Sequence, residues 1–195
     1  MKIRSFVLPI CALAIGVTSH APALAQNAAT PVEYRLLATS KTSTMQKEMQ
    51  EAAEAGFRYG DVMGGKTAFG GAEVVVVMHR DGTPATYDYR LLATKKTSTM
   101  QKELQEAGDA GFEFRGQTVF KSTFGGDEVI CILEKDIKAP IIRYEYRLLA
   151  SKKTSTLQKE LLEAGDAGFA FVGLTVAKTA LAGEEVVAIL RRAVQ

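Results

Sequence analysis

The chain has 195 residues, of which 47% are hydrophobic and 24% charged, a balance that is typical of folded globular proteins and argues against fibrous or disordered classes. The formal net charge is +2, but Lys2 and Arg4 lie in the first 25 residues, and the remaining 22 basic residues equal the 22 acidic ones. A neutral chain lacks the charge that attracts nucleic acid or an anionic membrane surface, so we expect neither as a partner.

Residues 1–25 have the pattern of a cleavable export signal. After a short basic start, the apolar run at residues 6–17 is too short to span a bilayer core of about 30 Å. Residues 23–25 (Ala-Leu-Ala) form a small-x-small cleavage site before Gln26, as in bacterial signal peptides. We therefore expect a periplasmic or secreted protein that begins with a linker at residues 26–33 and has no integral membrane segment after signal cleavage.

One sequence unit is repeated three times along the chain. The segment Tyr-Arg-Leu-Leu-Ala begins at Tyr34, Tyr89 and Tyr146, and each copy continues for 47 residues without a gap. The copies, here called units 1, 2 and 3, span residues 34–80, 89–135 and 146–192, and the linkers between them span residues 81–88 and 136–145. Both linkers contain proline, as connectors between folded segments commonly do.

Each unit is predicted to begin with a strand, at residues 34–39 in unit 1, and to continue with a helix. Ser43 can cap the backbone N–H of Gln46, and the Gln46 side chain can reach back, which is the pattern of a capping box. The same pair recurs as Ser98 with Gln101 and as Ser155 with Gln158. Helical spacing predicts three equivalent buried faces: Met45, Met49, Ala52 and Ala53; Met100, Leu104, Ala107 and Gly108; Leu157, Leu161, Ala164 and Gly165.

A glycine followed by phenylalanine is predicted to end each helix in a left-handed conformation, with the phenylalanine folded back onto the helix. These pairs are Gly56-Phe57, Gly111-Phe112 and Gly168-Phe169. A hairpin follows, whose turn contains Gly70-Gly71, Gly125-Gly126 or Ala182-Gly183. Because only the second glycine is common to all three turns, we expect a loop with one left-handed glycine.

The last strand of each unit is apolar on both faces, at residues 74–78, 129–133 and 186–190. Such a strand is usually covered on both sides, and a unit of this size buries too little surface to be stable alone. We therefore predict an α+β fold of three β-α-β-β repeats, each a three-stranded antiparallel sheet of order 1-3-2 with one helix. The repeats are expected to share a core, packed as a pseudo-threefold unit.

The segment at residues 104–113 (Leu-Gln-Glu-Ala-Gly-Asp-Ala-Gly-Phe-Glu) resembles a family of small bacterial domains of unknown function. That family has a Tyr-led strand, a helix with Leu-Asn-x-Leu-Gly, then Gly-Trp-Glu and a hairpin. The resemblance extends over all three units, although Phe57, Phe112 and Phe169 stand where the family prefers Trp. It implies a β-α-β-β fold and no assigned active site.

The sequence offers few groups for catalysis or metal binding. After signal cleavage His79 is the single histidine and Cys131 the single cysteine, and Cys131 lies in an apolar strand where we expect it to be buried and unreactive. The Gly64-Gly65-Lys66-Thr67 segment is similar to the end of a phosphate-binding loop, but the segment precedes a predicted strand, whereas a phosphate-binding loop precedes a helix. We predict no catalytic residue, no metal ligand and no cofactor.

Two sets of repeated polar residues have open interpretations. Arg35, Arg90 and Arg147 on the first strands, with Glu73, Glu128 and Glu185 on the last strands, are interpreted as structural pairs, with an arginine ring facing a ligand as the alternative. A lysine and hydroxyls at each predicted helix start could hold small anions, the alternative being a capping serine beside a solvated lysine. These candidates are Lys41, Ser43, Thr44, Lys96, Ser98, Thr99, Lys153, Ser155 and Thr156.

The neutral composition, the repetition and the scarcity of acid–base groups favour an exported, non-enzymatic binding or interaction protein. Its partner is expected to be an envelope protein or a small anion. The alternative hypothesis is an enzyme, or a protein that binds a small anion or a sugar, with a site between the repeats.

Overall fold

The computed structural model of the chain describes residues 31–68, 71–83, 86–121, 127–179 and 183–194. The predicted export signal, residues 1–25, lies outside these ranges. Unit 1 comprises β1 (Glu33–Thr39), α1 (Thr42–Glu54), β2 (Arg58–Thr67) and β3 (Gly71–Arg80). Unit 2 comprises β4 (Tyr87–Thr94), α2 (Thr97–Asp109), β5 (Glu113–Lys121) and β6 (Asp127–Asp136). Unit 3 comprises β7 (Arg143–Ser151), α3 (Thr154–Asp166), β8 (Ala170–Thr179) and β9 (Gly183–Val194).

The fold is α+β, and each unit is a three-stranded antiparallel sheet with one helix, as predicted. The sheets have the orders β1-β3-β2, β4-β6-β5 and β7-β9-β8, so the last strand of each unit is central. Equivalent pairs show that the units share one register: Leu37 lies opposite Val76, Leu92 opposite Cys131 and Leu149 opposite Ala188. A bulge interrupts the second strand of every unit after Tyr59, Phe114 or Phe171.

The helix ends confirm the predicted glycine stop. Gly56 has a φ of +85°, and its N–H donates to the Ala53 carbonyl while the Phe57 N–H donates to the Ala52 carbonyl, both within 3.0 Å. This pair of bonds is the Schellman motif, which only a residue at ease in the left-handed region can close. Gly111 and Gly168 repeat it. In the hairpin turns Gly71 and Gly183 also have positive φ, while the other turn residues discussed above lie outside the described ranges.

The three sheets are stacked in chain order. Each sheet has a back face, which carries its own helix (Leu37, Val74 and Val76 in unit 1), and an opposite front face (Leu36, Val75 and Val77 in unit 1). One core cluster joins the back face of unit 1 to front-face residues of unit 2, including Tyr89, Ile130 and Ile132. A second joins the back face of unit 2 to Tyr146, Val187 and Ile189 of unit 3. A third cluster holds residues of unit 3 alone: Leu157, Ala164, Phe169, Ala188 and Leu190.

This stacking confirms a shared core but does not confirm the expected pseudo-threefold arrangement. The clusters run from unit 1 to unit 2 and from unit 2 to unit 3, so the ends of the stack differ from its middle. The predicted helix faces of α1 and α2 are fully buried. In α3 only Leu157 and Ala164 are buried, and Gly165 is exposed, because none of the described units packs against this side of unit 3.

We predict that alanine has opposite effects at Gly108 and Gly165, which occupy equivalent positions. A Cβ at Gly108 would lie 2.8 Å from Cδ2 of Tyr146, whereas a Cβ at Gly165 would meet nothing within 4 Å. Gly108→Ala should destabilise the protein by about 1–3 kcal/mol through overpacking. Gly165→Ala should stabilise it by up to about 1 kcal/mol through helix propensity. Urea unfolding measures both, and equal effects would contradict the stacking described.

A second prediction concerns cooperativity. Because two core clusters cross unit boundaries, the three units should unfold in a single transition. The isolated segment 89–135 should be unfolded or self-associated, since it loses the neighbours of both its faces and is small. Circular dichroism with sedimentation measures this. A monomeric segment 89–135 that melts cooperatively would show that the units are independent domains.

Candidate functional site

The helix starts differ from the predicted capping boxes. The N-cap residues are Lys41, Lys96 and Lys153, in extended conformation and without a side-chain cap. The preceding strand fixes this position, because the Thr39 hydroxyl accepts the Lys41 N–H at 3.2 Å, which makes Lys41 the last extended residue. Ser43 therefore lies inside the first helical turn rather than before it, and the capping-box prediction is wrong.

The nine candidate anion-binding residues lie at three separate helix starts. The lysines Lys41, Lys96 and Lys153 and the serines Ser43, Ser98 and Ser155 are exposed, as is Thr156, whereas Thr44 and Thr99 are half-buried. Ser43 borders a cleft between α1 and β4 that Gln46, Lys47, Gln50 and Asp88 also line. Ser43 thus borders the junction between units 1 and 2, and the nine candidates lie at three separate helix starts rather than around a common anion pocket.

The glutamines assigned to capping instead connect neighbouring units. β4 is an edge strand of its sheet, and α1 lies along that edge. The Gln46 carbonyl oxygen accepts the Leu91 N–H at 3.1 Å, and that of Gln50 accepts the Tyr89 N–H at 3.2 Å. A helix side chain thereby satisfies backbone groups that an open edge strand would leave free.

The same contacts recur between units 2 and 3. The Gln101 carbonyl oxygen accepts the Leu148 N–H at 2.8 Å, and that of Gln105 accepts the Tyr146 N–H at 3.0 Å. The Gln101 amide also donates to the Tyr146 carbonyl at 2.8 Å. The two junctions are therefore built in the same way.

A tyrosine from each following unit enters the unit before it. Tyr89 is 3% exposed, and its hydroxyl oxygen accepts the Tyr59 N–H at 2.7 Å and donates to Glu134 at 2.6 Å. Tyr146 accepts the Phe114 N–H at 2.7 Å in the same position. Burial raises the pKa of Tyr146 to about 12, so the phenol stays neutral and able to donate.

Glycine in the bulges of units 2 and 3 makes room for an aromatic ring of the preceding unit. A Cβ at Gly116 would lie 2.9 Å from Cζ of Tyr59, and one at Gly173 would lie 3.0 Å from Cζ of Phe114. Unit 1 has Asp61 at this position, and the described residues include no ring from a preceding unit beside it.

The repeated arginines are structural. Arg35, Arg90 and Arg147 lie over the rings of Phe57, Phe112 and Phe169, at 4.8, 4.7 and 4.2 Å from the ring centres. The glutamates have other partners: Glu73 accepts from the Thr67 hydroxyl and Glu128 lies 3.5 Å from Lys95. Each arginine thus packs within its own unit instead of forming a common ring.

The other candidate groups occupy structural positions. Cys131 is fully buried, and burial raises its pKa to about 12, as expected for an unreactive thiol. Gly64, Gly65, Lys66 and Thr67 belong to strand β2, which is not the geometry of a phosphate loop. Among the described residues no group of three or more His, Cys, Asp or Glu side chains is placed to hold a metal ion.

In the part of the chain that the structure describes, the front face of unit 1 is the uncovered counterpart of the front faces of units 2 and 3. Tyr34, the equivalent of Tyr89 and Tyr146, is 73% exposed, and Leu36 is 56% exposed. The face forms a concavity of about 490 Å³. It is lined by Leu36, Asp61, Val62, Met63, Lys66, Thr67, Val75 and Val77.

The back face of unit 3 is open at the other end of the stack. Phe171 is 56% exposed, whereas its equivalent Phe114 is 6% exposed, and Leu162 is 61% exposed. Leu174 and Val176 extend this apolar surface along β8. The candidate functional site is therefore a pair of apolar end faces, with the front face of unit 1 as its concave member.

Comparison of the chain with protein-family models, curated protein sequences and solved structures gives no match. The resemblance to small β-α-β-β domains thus stays a prediction. In the parts of the chain that the structure describes, none of the helices has the length and apolar character needed to cross a membrane.

We predict that Gln101→Ala and Gln158→Ala, at equivalent helix positions, differ in their effect on stability. Gln101→Ala removes the partners of the Leu148 N–H and the Tyr146 carbonyl, which should cost about 1–2 kcal/mol. Gln158 is exposed at the end of the stack, so Gln158→Ala should change stability by less than about 0.5 kcal/mol. Urea midpoints compare the two. A neutral Gln101→Ala would exclude the glutamine contacts as a source of junction stability.

Proposed function

We propose that the protein is an exported, non-enzymatic binding protein that docks a protein partner on the front face of unit 1. One observation carries the proposal: this face is a protein-binding surface that the chain itself uses twice. The front faces of units 2 and 3 bind the helix side of the preceding unit, and among the described residues the same face of unit 1 is uncovered.

The chemistry of the face defines the partner. Leu36, Met63 and Val77 offer apolar contact area, with Asp61 and Lys66 as charged groups at its rim. An apolar centre with a polar rim is the usual composition of a protein interface. The edge of β1 adds backbone groups equivalent to those that glutamines bind in β4 and β7. A helix lying on a sheet and carrying amide side chains is the surface that fits.

The alternative function, an enzyme or a small-anion or sugar site between the repeats, receives less support. The core of the junction between units 1 and 2 is filled by aromatic and aliphatic side chains such as Tyr59, Tyr89 and Phe120, and of the nine candidates only Ser43 lines the cleft beside it. The hydroxyl and lysine candidates lie at exposed helix starts instead. A periplasmic or secreted location fits a binding protein and rests on the export signal predicted from sequence.

Capture experiments with Leu36→Lys test the proposal. Leu36 is 56% exposed on the front face, and Ile137, at 55% exposed on a linker, provides a matched control. Wild type and Ile137→Lys should capture the same polypeptide from an envelope extract, and Leu36→Lys should not. The captured polypeptide, once purified, should bind Leu36→Lys at least about tenfold more weakly, because a charge is buried without a partner.

Two results would contradict this function. Equal binding of the partner by Leu36→Lys and wild type would place the docking site elsewhere. Binding of a small anion or sugar that is unchanged by Leu36→Lys, together with no polypeptide partner, would favour the alternative. Circular dichroism and melting of each variant establish that the fold is intact.

A further inference from the structure

We propose that a second copy of this chain docks on the front face of unit 1, through the back face of its own unit 3. This inference rests on the proposed function and names its partner. Copies would then join head to tail, by the contact that already joins units 1 to 2 and 2 to 3.

The first argument is that the two junctions within the chain repeat one arrangement. At each, two helix glutamines accept the N–H groups of a first strand, at Leu91 and Tyr89 or at Leu148 and Tyr146. At each, a tyrosine hydroxyl accepts a backbone N–H of the preceding unit at 2.7 Å. A contact that can be repeated along a stack leaves a complementary pair of faces at its two ends.

The second argument is that the front face of unit 1 retains the residues of this contact. Tyr34 and Leu36 are equivalent to Tyr89 and Leu91 of unit 2, and they stand on an edge strand in the same register. Both side chains are more than half exposed, as is Met63 on β2. In solenoid-like proteins the terminal units usually carry a polar outer surface, whereas Leu36, Met63 and Val77 make the centre of this face apolar.

The third argument is that the back face of unit 3 retains the receiving surface. Gln158 is exposed at the position of Gln46 and Gln101. A Cβ at Gly165 would meet no atom within 4 Å, whereas Tyr144 and Tyr146 closely approach the equivalent Gly108. The space that a tyrosine fills between units 2 and 3 is thus open at the end of the stack.

The fourth argument is that the two end faces carry exposed apolar side chains at the positions that are apolar and buried in the internal junctions. Phe171 occupies the position of Tyr59 and Phe114, which are buried against the next unit, and is itself 56% exposed. Leu162, Leu174 and Val176 surround it with further exposed apolar area. Monomeric soluble proteins rarely leave such surfaces uncovered.

Two differences make the contact between copies weaker than the contacts within a chain. Leu162 stands where Gln50 and Gln105 accept a strand N–H, so one hydrogen bond is lost. Asp61 stands where Gly116 and Gly173 make room for an aromatic ring. A Cβ at Gly173 would lie 3.0 Å from Cζ of Phe114. The Asp61 Cβ would therefore approach the Phe171 ring of the second copy about as closely. The association is accordingly reversible and concentration-dependent.

Complementation between two blocked variants tests the proposal. Leu36→Lys blocks the front face of unit 1, and Phe171→Lys blocks the back face of unit 3, while Ile137→Lys is the control. In sedimentation velocity the average mass of wild type and of Ile137→Lys should rise with concentration, and each blocked variant should stay monomeric. An equimolar mixture of Leu36→Lys and Phe171→Lys should form a dimer and nothing larger, because one free pair of faces remains.

Variants that should strengthen the association provide an independent test, which does not depend on introducing a charge. Asp61→Gly and Leu162→Gln restore the residues found at the internal junctions and should each tighten the association severalfold. The double variant should form long assemblies at lower concentration than wild type.

The proposal is overturned if wild type stays monomeric at all concentrations and Asp61→Gly with Leu162→Gln does not associate. It is also overturned if the blocked variants associate as wild type does, or if their mixture forms no dimer. Loss of capture of a different polypeptide by Leu36→Lys, with a monomeric wild type, would uphold the proposed function and refute the second copy as its partner.

Discussion

The open edge of the first strand is the constraint on which the rest of the structure depends. In every unit this strand has a neighbour on one side only, so a row of backbone N–H and carbonyl groups faces outward. In units 2 and 3 the amide side chains of the preceding helix satisfy these groups. Two glutamines, four residues apart on one helix face, thus set the spacing, order and direction of the stack.

The apolar core follows from the same arrangement. Once a helix lies along the edge of the next sheet, the tyrosine beside it and the front-face residues Ile130 and Ile132 come into contact with the preceding unit. The central strand is then covered on both faces, as its composition requires. Gly116 and Gly173 leave room for the ring of the preceding unit, and in unit 1, where the structure describes no such ring, the equivalent residue is Asp61.

The fold within each unit could be predicted from the sequence. Strand order, the buried faces of α1 and α2 and the glycine stops at Gly56, Gly111 and Gly168 follow from periodicity and from the left-handed backbone of glycine. The role of Gln46 could not be predicted in this way, because an amide three residues after a serine suits both a capping box and a contact with another unit. The replacement of Asp61 by glycine in the later units was the available signal. Interpreting this difference requires knowing which face of one unit contacts which face of the next. The repeats alone do not give this information, because they are compatible with a closed ring as well as with an open stack.

The polarity of the stack also bears on how the chain folds as it is made. Unit 2 has its front face covered by unit 1 and its back face covered by unit 3. In a chain synthesised from the N-terminus, units 2 and 3 therefore each emerge after the unit whose back face their front face contacts. Unit 1 serves as the template, and the nascent end at any moment is a back face that carries its own helix but has no following unit to cover it. The direction of the junctions thus determines the order in which the units can assemble. In a permuted chain that began with unit 3, the front face of unit 3 would stay uncovered until unit 2 had been synthesised.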